Sequence, residues 1–518
     1  MKPVGWRLLA RILCLVILAA QASWAADITP QSVEAILPEL DRLADQTLKK
    51  TGVPGMAIAV VCNDQVIHQK GYGVREAGKE ERVDIDTIFQ LASVSKPMAS
   101  TVLAALVGEG IIDWDDRVID HDPGFRLSDS FVTREVTLRD LLCHRSGLPD
   151  HAGDLLEDLG CDRTEVLRRL RFEKPASSFR SQFAYTNFGF TQAAVAGARA
   201  AGGAWEDVAA DKLFRPLGMK SSSFRFADYA AAQNRARLHV HAEGKWVARY
   251  SRQPDAQAPA GGASSTARDL SQWLRLHLAG GKFAGKQVVA AKALAETHRP
   301  QIISHPPQDP ATNRAGFYGL GWNVNYDDGD RVRLGHSGAF DLGAATAVAL
   351  LPAESLGIVV LTNAAPFGVP EAISASFFDL VLKGKIEKDW LEMFRPIFAA
   401  LSQPAYGATA DYTKPPASKS PPLPLATYQG TYRNDYYGDL EVVEQDGALL
   451  LRIGPKMNSF ALRHWDCDIF IYQPEGEMAG GPSAVTFLVG PGRKAARAVV
   501  ENLDVHGQGT FTRQPATE

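Results

Sequence analysis

The stretch "FQLASVSKPMAS", residues 89–100, places a serine three positions before a lysine that proline follows at once. Proline is tolerated only near a helix start, so Pro97 predicts that a helix begins here. Residues three apart share a helix face whereas adjacent residues do not, which pairs Lys96 with Ser93 rather than Ser95. Serine attacks only when a base takes its proton, and a buried lysine can be that base. Ser93 is therefore the predicted nucleophile, at a positive helix end whose amides can stabilise an oxyanion.

Two stretches far along the chain distinguish this chemistry from a serine N-cap beside a solvated lysine. "FAYTNFGF" supplies Tyr185 and Asn187, and "LGHSGAF" supplies His336, Ser337 and Gly338 on a predicted strand. One group of enzymes that form a serine acyl intermediate combines Ser-x-x-Lys with Ser-Asp-Asn and Lys-Thr-Gly. The three elements occur here in that order, which indicates a nucleophilic site built from distant segments.

The chain resembles serine hydrolases of the class C β-lactamase and penicillin-binding-protein-like superfamily, in which Tyr-x-Asn replaces Ser-Asp-Asn. The resemblance covers roughly residues 37–382 and includes "VTLRDLLCHRSGLPD", "PAGGASSTARDL" and "GFYGLGW". It implies an α/β (α+β) β-lactamase/transpeptidase-like fold, with an antiparallel sheet flanked by helices. The C-terminal part resembles a β-domain of unknown function that is often attached to such hydrolases.

The resemblance also implies a role for each motif residue. Ser93 would form the acyl-enzyme, while Lys96 and Tyr185 would move protons, with Tyr185 a candidate to activate the deacylating water. Asn187 would bind the substrate amide and orient Lys96, and the backbone amides of Ser93 and Ala339 would form the oxyanion hole. A lysine and a phenol beside one hydroxyl are expected to lower each other's pKa in a desolvated cleft. No metal or other cofactor is expected.

One position departs from the family pattern. Many penicillin-recognising members carry lysine where this chain has His336, and histidine is a poorer fixed cation near pH 7. We expect His336 to hydrogen-bond Tyr185 or the substrate, with Ser337 and Gly338 supporting the substrate beside it. The predicted activity is therefore that of a D-peptidase or esterase acting on an amide or ester. The alternatives are a β-lactamase that hydrolyses antibiotics and a catalytically silent binding protein on the same fold.

Two other motifs resemble different kinds of site, a nucleophile elbow and a metal-binding histidine pair, but neither has the sequence context that its site needs. "GHSGA", residues 335–339, resembles the G-x-S-x-G nucleophile elbow, but an elbow needs a following helix and strand-like alternation follows here. "HVH" places His239 and His241 on one strand face, as a metal pair would be. No third ligand is evident nearby, so an exposed strand is the favoured interpretation.

The N-terminal sequence predicts export. Basic residues precede an apolar run at residues 12–20, and the small residues at Ser23 and Ala25 fit a cleavage site after Ala25. Residues 1–25 are therefore interpreted as a signal peptide, which would deliver the chain to the periplasm or outside the cell without a membrane span. The alternative is a single membrane anchor, for which the apolar run is short.

Composition and length narrow the possible partners. The net charge of −4 over 518 residues leaves no basic surface pattern, which argues against nucleic-acid binding. The length predicts more than one domain. The expected partner is a small-molecule or peptide substrate, for which cell-wall-derived molecules and β-lactams are candidates, and the sequence leaves the oligomeric state open.

Cysteine spacing and turn residues complete the expected organisation. Beyond the N-terminal segment, Cys62, Cys143, Cys161 and Cys467 match no zinc motif, and either a Cys143–Cys161 disulfide or four buried free thiols is expected. Residues 26–400 form the predicted hydrolase domain, in which a helical pattern at residues 28–50 precedes a β-hairpin at "GMAIAVVCNDQVIHQKGYG", with its tight turn at Asn63 and Asp64. Residues 401–424, with "KPPASKSPPLP", form a Pro-rich linker. Residues 425–518 form an all-β domain, with a tight turn at residues 446–447.

Overall fold

The computed structural model describes residues 28–407, 410–416 and 418–515. The predicted signal peptide, residues 1–25, lies outside these ranges. Within them, no helix combines the length and the apolar character that crossing a bilayer requires.

An eight-stranded sheet forms the centre of the first domain, with every neighbouring pair antiparallel. Its strand order is β2-β1-β14-β13-β12-β11-β10-β9, and β3–β6, β4–β5 and β7–β8 are separate two-stranded pairs. The strands of this domain are β1 Gly55–Cys62, β2 Gln65–Gly73, β3 Phe89–Gln90, β4 Val240–Ala242, β5 Lys245–Val247, β6 Ser264–Ser265, β7 Lys282–Phe283, β8 Lys286–Gln287, β9 Ile302–His305, β10 Gly316–Tyr318, β11 Asn323–Tyr326, β12 Val332–Phe340, β13 Ala344–Leu351 and β14 Leu356–Thr362.

Helices cover both faces of this sheet. The helices are α1 Pro30–Glu34, α2 Leu37–Thr51, α3 Ser95–Gly108, α4 Val118–His121, α5 Ser130–Glu135, α6 Leu138–Leu142, α7 Asp154–Asp158, α8 Arg163–Arg169, α9 Asn187–Ala200, α10 Trp205–Ala209, α11 Arg215–Leu217, α12 Phe226–Ala231, α13 Ala258–Gly261, α14 Ala267–Leu278, α15 Ala291–Thr297, α16 Val369–Lys383 and α17 Trp390–Leu401. Short 3₁₀ turns and one π-helical turn at Ala210–Phe214 connect some of them.

The buried central strands explain the continuous apolar runs in the sequence. Strand β1 is buried along its whole length, because α14 packs on one face of the sheet and α16 on the other. Side chains alternate between the two layers along a strand, so one core cluster takes Ala57, Ala59 and Val61 while the other takes Met56, Ile58 and Val60.

Both predicted tight turns are present. Asn63 and Asp64 join β1 to β2, and both have positive φ, as a two-residue hairpin turn requires. Asp446 and Gly447 do the same between two strands of the second domain. These polar residues and this glycine tolerate the left-handed conformation, which is why the turns could be read from the sequence.

The second domain is a closed antiparallel barrel. Its first strand, Gly430–Asn434, pairs with both the second, Gly438–Gln445, and the last, Thr510–Arg513, so the barrel leaves no open sheet edge. The predicted fold class, an antiparallel sheet with helices plus an all-β domain, is confirmed. The domain limits and the linker at residues 401–424 stay predictions. The barrel strands are β15 Gly430–Asn434, β16 Gly438–Gln445, β17 Ala448–Ile453, β18 Asn458–Asp466, β19 Ile469–Tyr472, β20 Ser483–Val489, β21 Ala495–Val500 and β22 Thr510–Arg513.

The four cysteines of the described chain are free thiols. Cys62, Cys143 and Cys161 are buried, whereas Cys467 is exposed, so the expectation of four buried thiols holds for three of them. Burial raises the pKa of Cys143 to about 12 and that of Cys161 to about 11. The alternative of a Cys143–Cys161 disulfide is wrong for this structure.

Candidate active site

The predicted nucleophile lies on a strained turn at a helix start. Ala92–Val94 forms one 3₁₀ turn, and α3 begins directly after it at Ser95. Ala92 has φ 48°, a left-handed conformation that is uncommon for a residue with a side chain. Pro97 lies in the first turn of α3, where its missing N–H costs nothing. Ser93 therefore lies just before the helix rather than inside its first turn.

Lys96 and Tyr185 both contact the Ser93 hydroxyl. Lys96 Nζ lies 3.2 Å from Ser93 Oγ, and the Tyr185 hydroxyl donates to the same oxygen at 2.8 Å. Lys96 also donates to Asn187 Oδ1 at 2.6 Å. By contrast, Ser95 Oγ accepts the amide of Ala263 at 2.9 Å, a contact that supports the backbone. The structure thus pairs Lys96 with Ser93, as the spacing predicts.

Burial gives Lys96 the properties of a base. Its side chain is completely buried, and the loss of solvation lowers its pKa to about 7, although the charge of Asp154 acts in the opposite direction. A large fraction of Lys96 is therefore neutral near pH 7 and can accept a proton. Lys96 Nζ lies 4.4 Å from the centre of the Tyr185 ring, and this cation–π contact stabilises the ammonium form only modestly.

Tyr185 behaves differently from the expectation. Burial raises its pKa above the ordinary value, although the hydrogen bond to Ser93 favours the phenolate. The expectation that Lys96 and Tyr185 would lower each other's pKa is wrong for the tyrosine, because desolvation disfavours its charged form more strongly. Tyr185 is therefore a proton donor at rest.

His336 is neutral and is held away from Tyr185. Its Nδ1 lies 2.7 Å from the carbonyl oxygen of Ser337, so we place the ring proton there, and Nε2 then accepts from the Tyr318 hydroxyl at 2.9 Å. Burial, together with the charge of Lys96, lowers the His336 pKa to about 3. Of the two expected partners of His336, Tyr185 is not one, because their ring centres lie 6.4 Å apart and no hydrogen bond joins them, so the substrate stays the predicted partner.

The rest of this strand is divided between two faces. A Cβ atom on Gly338 would lie 2.1 Å from the carbonyl oxygen of Leu91, so only glycine lets β12 approach the Ser93 turn this closely. Ala339 follows it at an exposed position beside that turn. The Ser337 side chain lies on the opposite face of the strand from His336 and Gly338, near Glu371 on α16, whose pKa is raised by burial and lowered in part by this hydroxyl.

A buried carboxylate behind Asn187 was missed in the sequence. Asn187 Nδ2 donates to Asp154 Oδ2 at 2.8 Å, and the same oxygen lies 2.8 Å from His151 Nδ1. Although burial disfavours the imidazolium, the hydrogen bond and charge of Asp154 raise the His151 pKa to about 8. The side chain of His151 is 41% exposed at the cleft. No motif spacing marks either residue.

Aromatic rings exclude water from this group. His144 lies 4.6 Å from the Tyr185 ring and 4.9 Å from the Tyr318 ring, measured between ring centres. Its Nδ1 accepts the amide of Thr186, which fixes the backbone next to Tyr185. Burial lowers the His144 pKa well below its usual value, so the ring adds no charge. These rings contribute to the burial that lowers the pKa of Lys96.

The competing motifs form no second site. His239 is buried, with Nδ1 at 2.8 Å from the Asn363 carbonyl and Nε2 accepting the Ala77 amide, whereas His241 is exposed. The prediction of an exposed strand is therefore correct for His241 alone. Nowhere in the described ranges do three or more His, Cys, Asp or Glu side chains group as a metal site. "GHSGA" leads from β12 into β13, without the helix that an elbow needs.

Comparisons with known families agree with the two-domain architecture. A family model described as Beta-lactamase matches residues 40–377. A second model, described as a domain of unknown function (DUF3471), matches residues 414–513.

Individual proteins align along most of the chain. An unguisins hydrolase of Aspergillus campestris is 26% identical over 451 residues, or 82% of this chain and 80% of that protein. Penicillin-binding protein 4 of Amycolatopsis lactamdurans is 28% identical over 392 residues, which cover 74% of this chain and 94% of that protein. The structure of an octameric penicillin-binding protein homologue from Pyrococcus abyssi superposes with a TM-score of 0.58 and 18% identity, covering 92% of this chain and all of that one. The last comparison supports the fold alone.

Proposed function

The chain belongs to the beta-lactamase family of serine hydrolases, and from this premise we propose that it hydrolyses an amide or ester through an acyl-enzyme on Ser93. The observation that carries the proposal is the double contact at Ser93 Oγ, with Lys96 Nζ at 3.2 Å and the Tyr185 hydroxyl at 2.8 Å. A base and an acid on one nucleophile suit two-step acyl transfer.

Acylation begins with neutral Lys96. Lys96 takes the Ser93 proton as Oγ bonds to the carbonyl carbon, and the backbone amides of Ser93 and Ala339 stabilise the oxyanion. Tyr185 then protonates the leaving amine or alcohol as its bond to carbon breaks. The Lys96 ammonium returns the proton to the phenolate, since both groups contact the same oxygen.

Deacylation repeats these steps with water. Because burial raises the Tyr185 pKa while that of Lys96 is about 7, we assign the proton of the attacking water to Lys96 rather than to Tyr185. Asn187 holds Lys96 Nζ at 2.6 Å and keeps it directed at Ser93 through both steps. The intact contacts between these side chains argue against a silent binding protein.

Neutral His336 guides the choice of substrate. The strand beside Ser93 offers no fixed cation there, since the His336 pKa is about 3 and the ring is hydrogen-bonded on both nitrogens. A substrate carboxylate at this position would gain little electrostatic stabilisation. A D-peptide or ester substrate without that carboxylate is therefore favoured, and β-lactam hydrolysis is the alternative.

Export remains part of the proposal. The basic, apolar and small residues of the first 25 positions support a signal peptide. Expression of the full chain with N-terminal sequencing of the periplasmic or secreted product tests it. The proposal predicts a product that starts at Ala26, and an uncleaved chain retained in the membrane would contradict it.

Covalent labelling tests the nucleophile. The intact mass is measured after treatment with a fluorophosphonate and, separately, with a penicillin, on the wild type, Ser93→Ala and the control Ser337→Ala. We expect fluorophosphonate to label the wild type and Ser337→Ala but not Ser93→Ala. A label retained by Ser93→Ala would overturn the assignment. A penicillin adduct that is released quickly would favour the β-lactamase alternative.

A further inference from the structure

The barrel contacts both ends of the short helix α7. At its start, the Gly153 amide donates to the Tyr436 hydroxyl at 3.0 Å. At its end, the Asp158 carboxylate accepts two successive barrel amides, those of Glu477 at 2.9 Å and Met478 at 2.8 Å. These contacts join residues more than 280 positions apart in the sequence. Helix α7 is therefore held between two loops of the second domain.

Tyr436 is itself firmly fixed. Its side chain is 3% exposed, and burial together with the nearby buried carboxylate of Glu173 raises the pKa of its hydroxyl, which therefore stays protonated. Its carbonyl oxygen accepts from Arg169 Nη1 at 2.5 Å, and its amide donates to Asn434 at 2.8 Å. The hydroxyl thus has one position, from which it meets the Gly153 amide.

Gly153 cannot easily move from this contact. It has φ 98°, and a Cβ atom there would lie 2.6 Å from the ring of Phe188. Its amide is buried, and a buried backbone N–H without a partner is costly. Tyr436 supplies that partner and so determines where α7 begins.

The first residue of α7 leads directly to the candidate site. Asp154 Oδ2 accepts from Asn187 Nδ2 at 2.8 Å, and Asn187 Oδ1 accepts from Lys96 Nζ at 2.6 Å. The loop before α7 also supports the tyrosine, since the His151 amide donates to the carbonyl oxygen of Tyr185 at 2.7 Å. A shift of this loop would disturb both groups that contact Ser93.

We propose that Tyr436 is a positioning residue of the acyl-enzyme site, through which the barrel fixes Asp154 and, by way of Asn187, Lys96. This inference rests on the proposed function and assigns a role to the second domain, which it makes part of the hydrolase site. Tyr436 is buried against Gly153 and Glu173, away from Ser93. Its loss should therefore lower kcat and leave KM nearly unchanged.

A matched pair of tyrosine variants tests this role in the full-length chain. Tyr436→Phe removes only the hydroxyl that holds Gly153. Tyr437→Phe removes a hydroxyl that is as deeply buried but donates to Leu503 within the barrel at 3.0 Å. The rate of fluorophosphonate labelling at Ser93 and the kcat and KM for a p-nitrophenyl ester are measured for both. We expect a roughly tenfold fall in labelling rate and kcat for Tyr436→Phe, and less than twofold for Tyr437→Phe.

The outcomes separate this inference from the proposed function. Equal rates for the two variants would overturn the positioning role, as would a change confined to KM. A wild-type chain that takes no label would instead refute the Ser93 proposal. If Tyr436→Phe does not fold, Asp158→Ala removes the contact at the other end of α7 and carries the test. A wild-type labelling rate in that folded variant would show that the barrel's hold on α7 does not control Lys96, and so would refute the role.

Discussion

Asp154→Asn is the most informative change, because it removes one charge with little change of shape. Asp154 Oδ2 accepts from both Asn187 and His151, and an asparagine oxygen at the same place can accept both hydrogen bonds. Asp154 Oδ1 has no partner within the described chain, so the new amide nitrogen displaces no hydrogen bond. The variant therefore isolates the effect of the carboxylate charge on Lys96.

The size of the effect follows from the geometry. The path from Lys96 Nζ through Asn187 to Asp154 has hydrogen bonds of 2.6 and 2.8 Å. Two unit charges about 7 Å apart interact by about 2.4 kcal/mol at an effective dielectric of about 20. His151 loses part of its own charge in the variant, because Asp154 raises its pKa to about 8, and this offsets some of the change. We therefore expect the Lys96 pKa to fall by about one pH unit.

The direction of the change in the Lys96 pKa determines which limb of the pH–rate profile should move. Activity needs neutral Lys96, so the wild-type kcat/KM should rise with pH through a pKa near 7. Without the charge of Asp154 the ammonium is less stable, and this acidic limb should move to lower pH. The profile is measured between about pH 5 and 9 with a p-nitrophenyl ester. Burial lowers the pKa of both His144 and His336, which also face Lys96, and keeps Tyr185 protonated, whereas His151, with a pKa of about 8, titrates within this range.

A second buried carboxylate provides the control. Asp122 is 8% exposed and accepts from Gln192 on α9 at 2.8 Å, much as Asp154 accepts from Asn187 on the same helix. Asp122→Asn should leave the acidic limb in place. The reasoning is refuted if the limb of Asp154→Asn stays at the wild-type position or moves to higher pH.

Three further predictions concern the groups around Ser93. Tyr185→Phe should lower the acylation rate for an amide substrate by about 100-fold in stopped-flow assays, since the leaving group loses its acid; a wild-type rate would remove that role. His336→Lys should raise the ratio of the penicillin labelling rate to the labelling rate with an uncharged ester at least several-fold, because lysine supplies a fixed cation. An unchanged ratio would show that the charge at this position does not select for a substrate carboxylate. Gly338→Ala should lower the free energy of unfolding by about 1–3 kcal/mol in denaturant titrations, because the added Cβ would clash with the Leu91 carbonyl oxygen. Wild-type stability would show that this clash is relieved without cost.

Local rules account for the parts of the structure that the sequence predicted. The pairing of Ser93 with Lys96 depends on a spacing of three at a helix start, and the hairpin at Asn63 and Asp64 depends on residues that tolerate positive φ. Apolar runs indicated the central strands, because both sheet faces are covered. These patterns lie close in sequence to the features that they specify, so they can be recognised from the sequence alone.

The missed features depend on burial and on distant packing. Asp154 reaches Asn187 from the start of α7, 33 positions earlier, and Tyr436 reaches Gly153 from the second domain. No spacing rule could have joined these residues. The pKa of Tyr185 was predicted in the wrong direction, because the sequence gives no measure of how completely the phenol is desolvated.

Trapping the acyl group tests the assignment of Ser93 as the nucleophile most directly. The chain is mixed with an activated ester, quenched with acid within milliseconds and at later times, digested, and the acylated peptide is identified by mass spectrometry. We predict one acyl group on Ser93, formed at a rate that rises through about pH 7 as Lys96 loses its proton. An acyl group on another residue, or turnover with no acylated peptide at any time, would contradict this prediction.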